Sequence, residues 1–236
     1  KISIIAPVFN GKKYIEQTIT SVINQSYQNL EYIIVDGGST DNTINIIEKY
    51  RSKINKIIYQ KDNSMYEAIQ SGFNYDTEKY FYWINSDDFL LDNNSVKRLM
   101  KVLNEKKFPW VICKISISKF DSKPIKYIPP CYPKWIIKKG LANNCFWGFI
   151  QQENTIFSRK LYFDVGGINP KFKMVGDYDL WKRFANIEKL YSINVEFTCH
   201  RKSENHLTIL DKYYKEIGKK KCLLNIFNFI RFFYSI

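Results

Sequence analysis

The sequence predicts an α/β fold with a mostly parallel sheet flanked by helices, on three observations. Strand-like and helix-like patterns alternate through the first 105 residues. The run Tyr32–Val35 is continuously apolar, as a strand covered on both faces requires. Successive strands also end on or near acids: Asp36, then Asp62, then the adjacent pair Asp87 and Asp88.

The elements follow in order. Ile2–Ala6 reads as a strand, and Ile15, Thr18, Ile19, Val22 and Ile23 then recur at helical spacing. Tyr32–Val35 is the second strand, Ile44, Ile47 and Tyr50 mark a helix, and Ile54–Tyr59 is the third strand. Ser64 and Glu67 form a capping-box pattern for a helix with an inner face of Met65, Ala68, Ile69, Gly72 and Phe73. Tyr80–Ile84 is the fourth strand. Strands alternating with helices imply right-handed βαβ units. Beyond residue 105 the rhythm breaks: a strand at Trp110–Ile117, an irregular stretch at Lys123–Lys139, a strand at Asn154–Phe157, helices at Arg159–Val165 and Gly176–Asn186, and a last strand at Lys189–Phe197. Residues 205–236 read as a helical tail.

Bulk properties narrow the function classes. A chain of 236 residues with 45% hydrophobic and 17% aromatic content buries a sizeable core and is not disordered. Five scattered cysteines without a C-x-x-C spacing argue for a reducing compartment and against a disulfide framework or zinc site. The opening KISIIAP is strand-like, with no secretory signal in view, so a cytoplasmic location is expected. A net charge of +13 seeks phosphate in nucleic acid, an anionic membrane or a phosphorylated small molecule. No nucleic-acid motif is present, and nucleic acid is not the expected partner.

In a parallel α/β sheet, ligands bind beyond the carboxyl ends of the strands. Pro7 and Asn10 follow the first strand there, joining Asp36, Asp62, Asp87 and Asp88. The pair in NSDD has two readings: a simple turn, or a site for a cation and a phosphate-bearing ligand. DGGSTDNT has paired glycines but no G-x-G-x-x-G, and no G-K-[ST] follows a strand, which disfavours nicotinamide dehydrogenases and P-loop enzymes.

Five stretches in order, ISIIAPVFNG, YIIVDGGSTDNT, KDNSMYEA, NSDD and QQENTIFSR–GG–GDYDLW, resemble the family 2 glycosyltransferases of the GT-A fold, of the bacterial surface-polysaccharide type. The resemblance covers residues 1–200 and implies a catalytic domain over 1–204, with a nucleotide-binding half at 1–105 and an acceptor-binding half at 106–204. It implies that Pro7, Asn10, Asp36 and Asp62 line the nucleoside pocket, that Gly37 and Gly38 make a close-approach turn, and that Asp87 faces the ribose. Asp88 would ligate Mn²⁺ or Mg²⁺, with His200 as a second candidate or a structural histidine. Such enzymes invert configuration in one displacement, moving a sugar from a nucleoside-diphosphate donor, here expected to be UDP-linked, to a glycan or lipid-linked glycan hydroxyl. The rival readings are a catalytically silent nucleotide-sugar-binding domain and a basic nucleic-acid-binding protein.

The reaction needs a general base for the acceptor hydroxyl. On the helix predicted from GDYDLWKRFAN, Asp177 shares a face with Leu180, Trp181 and Phe184, whereas Asp179 neighbours Lys182 and Arg183 and reads as a solvated acid. The family's base lies in a Glu-Asp pair whose first position is here Gly176, leaving Asp177 as the matching acid; its alternative is a helix cap. Gln152, Glu153 and Thr155 match a stretch lining the donor or acceptor sugar, or else form a polar strand edge. Trp147 and Trp181 offer sugar-stacking faces, or belong to the core. The tail 215–236 joins Lys219–Lys221 to an aromatic pattern too short to span a bilayer. It suits peripheral membrane contact, docking on the catalytic domain, or a homodimer contact.

Overall fold

The computed structural model describes residues 1–75, 78–118, 124–127, 131–142, 148–201 and 212–218. Strand β1 (Ile2–Val8), helix α1 (Ile15–Ile23), β2 (Leu30–Asp36), α2 (Thr43–Lys49), β3 (Lys56–Tyr59), α3 (Met65–Asn74) and β4 (Tyr80–Trp83) build the first half. They are followed by β5 (Phe89–Leu90), α4 (Ser95–Lys106), β6 (Trp110–Ser118), β7 (Ile125–Tyr127) and α5 (Lys134–Lys138). The chain continues through β8 (Thr155–Ser158), α6 (Arg159–Asp164), α7 (Gly176–Ile187) and β9 (Tyr191–Arg201). The stretch read as irregular, Lys123–Lys139, thus contains β7 and α5, and α4 was not anticipated. Within 205–236, residues 212–216 are helical and the rest lies outside the described residues, apart from a turn at 217–218.

Among the described residues the sheet has nine strands in the order β3-β2-β1-β4-β8-β6-β9-β5, with β7 on β6. The first four are parallel, as expected. The second half is mixed: β8 runs antiparallel to both β4 and β6, while β9 is parallel to β6. Because β1 is flanked by β2 on one side and β4 on the other, the strand order reverses there, and a crevice opens beyond its carboxyl end. The antiparallel β8 brings its beginning to that same edge, and β9 brings its end.

Alternation along the central strands explains the three layers. Ile2, Ile4, Ala6 and Val8 of β1 face α1, α2 and α4, through Ile15, Ile19, Ile47 and Leu99 among others. Ile5 of β1, with Ile33, Val35, Phe81 and Trp83, faces α3, α5, α6 and α7. The inner face of α3 differs from expectation at its first turn: Met65 is 40% exposed and Tyr66 is buried, giving a Tyr66, Ile69, Phe73 stripe. Ser64 caps α3 by accepting the Glu67 N–H, but Glu67 reaches back to the N–H of Asn63 rather than that of Ser64.

Candidate active site

A cavity of about 970 Å³ opens at the carboxyl edge, lined by both halves of the chain. Pro7, near the end of β1, lines the cavity together with Phe9 and Asn10 just beyond the strand. Asn10 has a left-handed φ of 51°, a conformation its short polar side chain tolerates. It ties this loop to the next, donating its N–H to Ser39 and accepting that of Thr40 at 2.9 Å. Gly37 reaches the cavity, whereas Asp36 and Gly38 are not among its lining residues. Asp36 is 1% exposed, and its Oδ1 accepts the N–H groups of Gly38 and Ser39, so it anchors the turn behind Gly37. Gly38 takes a φ of 91°, which accounts for a glycine there. Asp62 lines the cavity beside Gly37, and burial pushes its carboxyl upward.

The NSDD segment is a turn, with Asp88 N–H donating to Asn85 O, and it is also part of the site. Thr18 of α1 pins it by donating to the Ser86 and Asp88 carbonyls. Asp87 faces the cavity; Asp88 is 0% exposed and turns inward. Asp88 Oδ1 lies 3.2 Å from His200 Nδ1 and accepts the Arg201 N–H at 3.0 Å. His200 Nδ1 is also 3.6 Å from Glu153 Oε1. Glu153 is held by its carbonyl, which accepts the Tyr82 hydroxyl at 2.9 Å; that hydroxyl also meets Thr198 of β9. Ligand atoms of Asp88, Glu153 and His200 all lie within 4.8 Å of one another.

Two carboxylates and one imidazole suit a hard or borderline divalent ion such as Mn²⁺ or Mg²⁺. The electrostatics agree. Burial pushes the Asp88 carboxyl up, and burial alone would pull His200 down, but Glu153, Asp88 and Asp87 hold His200 above its ordinary value. The cluster is an excess of negative charge around one imidazole, a donor set that fits a cation.

Arg201 was not singled out from the sequence. It is 6% exposed, donates to the Asp87 carbonyl and to Gln17, and its guanidinium lies over the Tyr14 and Phe89 rings. Phe9, also missed, is 63% exposed at the cavity wall.

Across the cavity, Asp177 heads α7. Its Oδ1 accepts the Tyr66 hydroxyl at 3.1 Å and the Tyr178 N–H at 2.8 Å. Burial pushes this carboxyl up to about 6, although both hydrogen bonds pull the other way. Asp179, read as solvated, is instead paired with Arg183 at 2.7 Å, both side chains 28% exposed. Arg183 also donates to the Val165 and Gly167 carbonyls.

The sugar-side candidates separate. Gln152 lines the cavity with neither amide atom bonded among the described residues, as do Asp62 Oδ2 and Asn85 Oδ1. Thr155 does not reach the wall: it is 1% exposed and donates back to Gln151. Trp181 touches the cavity but is 3% exposed and stacked against Trp83 and Trp110, so its faces belong to the core. Trp147 lies outside the described residues. From the tail, Tyr213 lines the cavity and packs edge-on against Phe149. Glu216 accepts the N–H groups of Lys173 and Met174, each at 2.7 Å. The described start of the tail therefore packs against Phe149 and residues 172–178, while Lys219–Lys221 and beyond lie outside the described residues. No helix of the described residues is long and apolar enough to cross a membrane.

The model of glycosyl transferase family 2 matches residues 3–165. An uncharacterised glycosyltransferase of Rickettsia typhi is 28% identical over 195 residues, 80% of this chain and 60% of the relative. Glycosyltransferase GlyA of Streptococcus pneumoniae is 31% identical over 107 residues, 44% of this chain and 15% of that protein. Among solved structures, S. aureus TarS in complex with UDP-GlcNAc is similar with a TM-score of 0.70 at 19% identity, covering 86% of this chain and 59% of that one. Mannosyltransferase PcManGT from Pyrobaculum calidifontis, in complex with GDP-Man and Mn²⁺, gives 0.66 at 15% identity, covering 94% and 65%. The likeness to these structures establishes the GT-A fold; the chain spans 60% of the Rickettsia typhi relative's length.

Proposed function

Because the chain belongs to glycosyl transferase family 2, we propose that it is an inverting, metal-dependent enzyme moving a sugar from a UDP-linked donor to a glycan or lipid-linked glycan hydroxyl. One observation carries the reading: Glu153 and His200, clustered with the buried Asp88, line the same cavity as Asp177. At about 970 Å³ it is large enough for a nucleotide-sugar with an acceptor beside it.

The nucleoside lies along Pro7, Phe9, Gly37 and Asp62, where the exposed Phe9 ring offers a stacking face. Asp88, Glu153 and His200 hold Mn²⁺ or Mg²⁺, which when bound supplies Lewis acidity for the departing diphosphate. Asp177 takes the proton of the acceptor hydroxyl. The hydroxyl oxygen forms the new bond to the anomeric carbon as the carbon–oxygen bond to the diphosphate breaks, and that electron pair leaves with the nucleoside diphosphate. Gln152, whose amide lacks protein partners among the described residues, orients sugar hydroxyls. A surface-polysaccharide acceptor suits the charge of +13 and the basic tail, which brings the enzyme to an anionic membrane surface.

The test is a thermal-shift panel of nucleoside diphosphates, each with and without Mn²⁺. UDP with Mn²⁺ at about a hundredfold above its Kd stabilises by ~2.7 kcal/mol, or about 5–10 °C. Asp88→Asn keeps an acceptor oxygen for the Arg201 N–H and should remove the metal-dependent part of the shift. A larger shift with GDP would reassign the base. No shift with any nucleotide, or an undiminished metal effect in Asp88→Asn, would overturn the reading; steeply salt-dependent RNA or DNA binding would favour the nucleic-acid alternative.

A further inference from the structure

We propose that Tyr66 is a positioning residue for Asp177: its hydroxyl, with the Tyr178 N–H, occupies Oδ1 so that Oδ2 alone receives the acceptor's proton, and Gly176 is glycine to leave room for the Tyr66 ring. The inference rests on Asp177 being the base.

Tyr66 is 2% exposed, and its hydroxyl bonds to Asp177 Oδ1 at 3.1 Å. Oδ1 also accepts the Tyr178 N–H, which leaves Oδ2 with no hydrogen bond among the described residues. A carboxylate held by two donors on one oxygen cannot rotate without breaking both. The orientation that matters to an incoming hydroxyl is therefore fixed before the acceptor arrives.

The second observation comes from the neighbouring backbone. A Cβ placed on Gly176 would stand 2.7 Å from the Tyr66 ring, closer than real Cβ contacts allow. Glycine is a poor helix former, and Gly176 opens α7, where alanine would serve the helix better. The ring, packed in the space of the missing side chain, accounts for glycine there. This also explains the departure at the first position of the expected Glu-Asp pair: a glutamate at 176 and a tyrosine at 66 cannot both be accommodated without a shift.

The position of Tyr66 in the chain adds a consequence. It lies in the first turn of α3, four residues after Asp62 on the nucleoside wall. One helix start thus touches the donor side and holds the base. The groups around Asp177 are Tyr66 from α3, Tyr178 from its own helix, the Glu153 charge from the turn just before β8, and Tyr213 from the tail. Of these, Tyr66 and Tyr178 bond to it, and its own backbone N–H also pulls on the carboxyl.

The experiment compares Tyr66→Phe, Asp177→Asn, Gly176→Ala, Tyr66→Ala and the double variant Gly176→Ala/Tyr66→Ala by steady-state kinetics. Phenylalanine keeps the ring against Gly176 and removes only the hydroxyl. Tyr66→Phe should lower kcat about tenfold and leave the donor KM within about threefold, with a folded protein whose melting temperature falls by no more than several degrees; tenfold is about the worth of one hydrogen bond to a charged group. Gly176→Ala should also lower kcat by tenfold or more in the wild-type background and add little to Tyr66→Ala, because the ring it clashes with is gone. A kcat for Tyr66→Phe within twofold of wild type, while Asp177→Asn loses a hundredfold, would show that Tyr66 only packs. Additive losses in the double variant would overturn the account of Gly176. Wild-type turnover in Asp177→Asn would instead remove the base, and the positioning role with it.

Discussion

Replacing Asp177 by Asn should produce an enzyme that folds more stably and turns over far more slowly. The amide oxygen of Asn can still accept the Tyr66 hydroxyl and Tyr178 N–H, so the local structure survives. The amide nitrogen, standing where Oδ2 was, cannot take a proton, and turnover should fall about 10²–10⁴-fold, or ~3–5 kcal/mol in the barrier. Stability moves the other way. Burial pushes this carboxyl up to about 6, so its folded value exceeds its unfolded one. Such a group's stabilisation is complete below the unfolded value near 4 and is lost as pH rises through 6. At pH 7.5 the ionised form costs the wild-type fold at most about 3 kcal/mol, and ~1–2 once partial exposure is allowed for. Asp177→Asn should accordingly melt a few degrees higher at pH 7.5 and identically to wild type near pH 4. Asp179→Asn is the matched control: it breaks the Arg183 ion pair, losing about 0.5–1 kcal/mol, and leaves turnover within about threefold. Initial rates of nucleoside-diphosphate release, with melting curves at both pH values, decide the matter. Equal rate losses from the two substitutions, or a larger loss from Asp179→Asn, would refute the assignment of the base.

Two further outcomes follow from the same geometry. The acid limb of kcat/KM should lie near pH 6 rather than near 4, because activity requires ionised Asp177, which burial pushes up to about 6; a limb near 4 would contradict the burial of the base. Glu216→Ala removes the acceptor for the Lys173 and Met174 N–H groups and should lower the melting temperature by about 2–6 °C, whereas an unchanged value would mean that 212–218 is not held to segment 172–178.

The first half of the fold was legible because its strands are short apolar runs whose connections obey βαβ rules, and the parallel order of β1 to β4 follows from those rules. The second half was not. An antiparallel strand between two others has the same apolar pattern as a parallel one, and nothing in Asn154–Phe157 shows its direction. The place of Glu153 beside Asp88 and His200 depends on that direction, so the sequence offered Asp88 and His200 as metal candidates but set Glu153 among the sugar-side residues. Asp36 illustrates a different limit: an aspartate after a strand looks alike whether it meets a ligand or, as here, caps the following turn. Tyr66 could have been found, since Tyr66, Ile69 and Phe73 keep helical spacing, but Met65 competes for the same face and only packing separates them. Arg201 carried no local signal, because its partners Gln17 and Asp87 are remote in the chain.

The reversed direction of β8 has a consequence for how such an enzyme can diversify. A parallel strand delivers to the catalytic edge the residues that leave it, and the loop that follows must close onto a helix. A reversed strand delivers the residues that enter it, so Phe149, Ile150 and Gln151, just before it, reach the cavity wall. β8 is registered on both sides, by Phe81 pairing with Phe157 and by Ile112 pairing with Thr155. That double registration fixes Glu153 however long the incoming segment is. Changes in 149–151 could therefore remodel one wall of the cavity while the carboxylate beside His200 stays in place, leaving a lineage free to vary what the cavity admits without rebuilding that cluster.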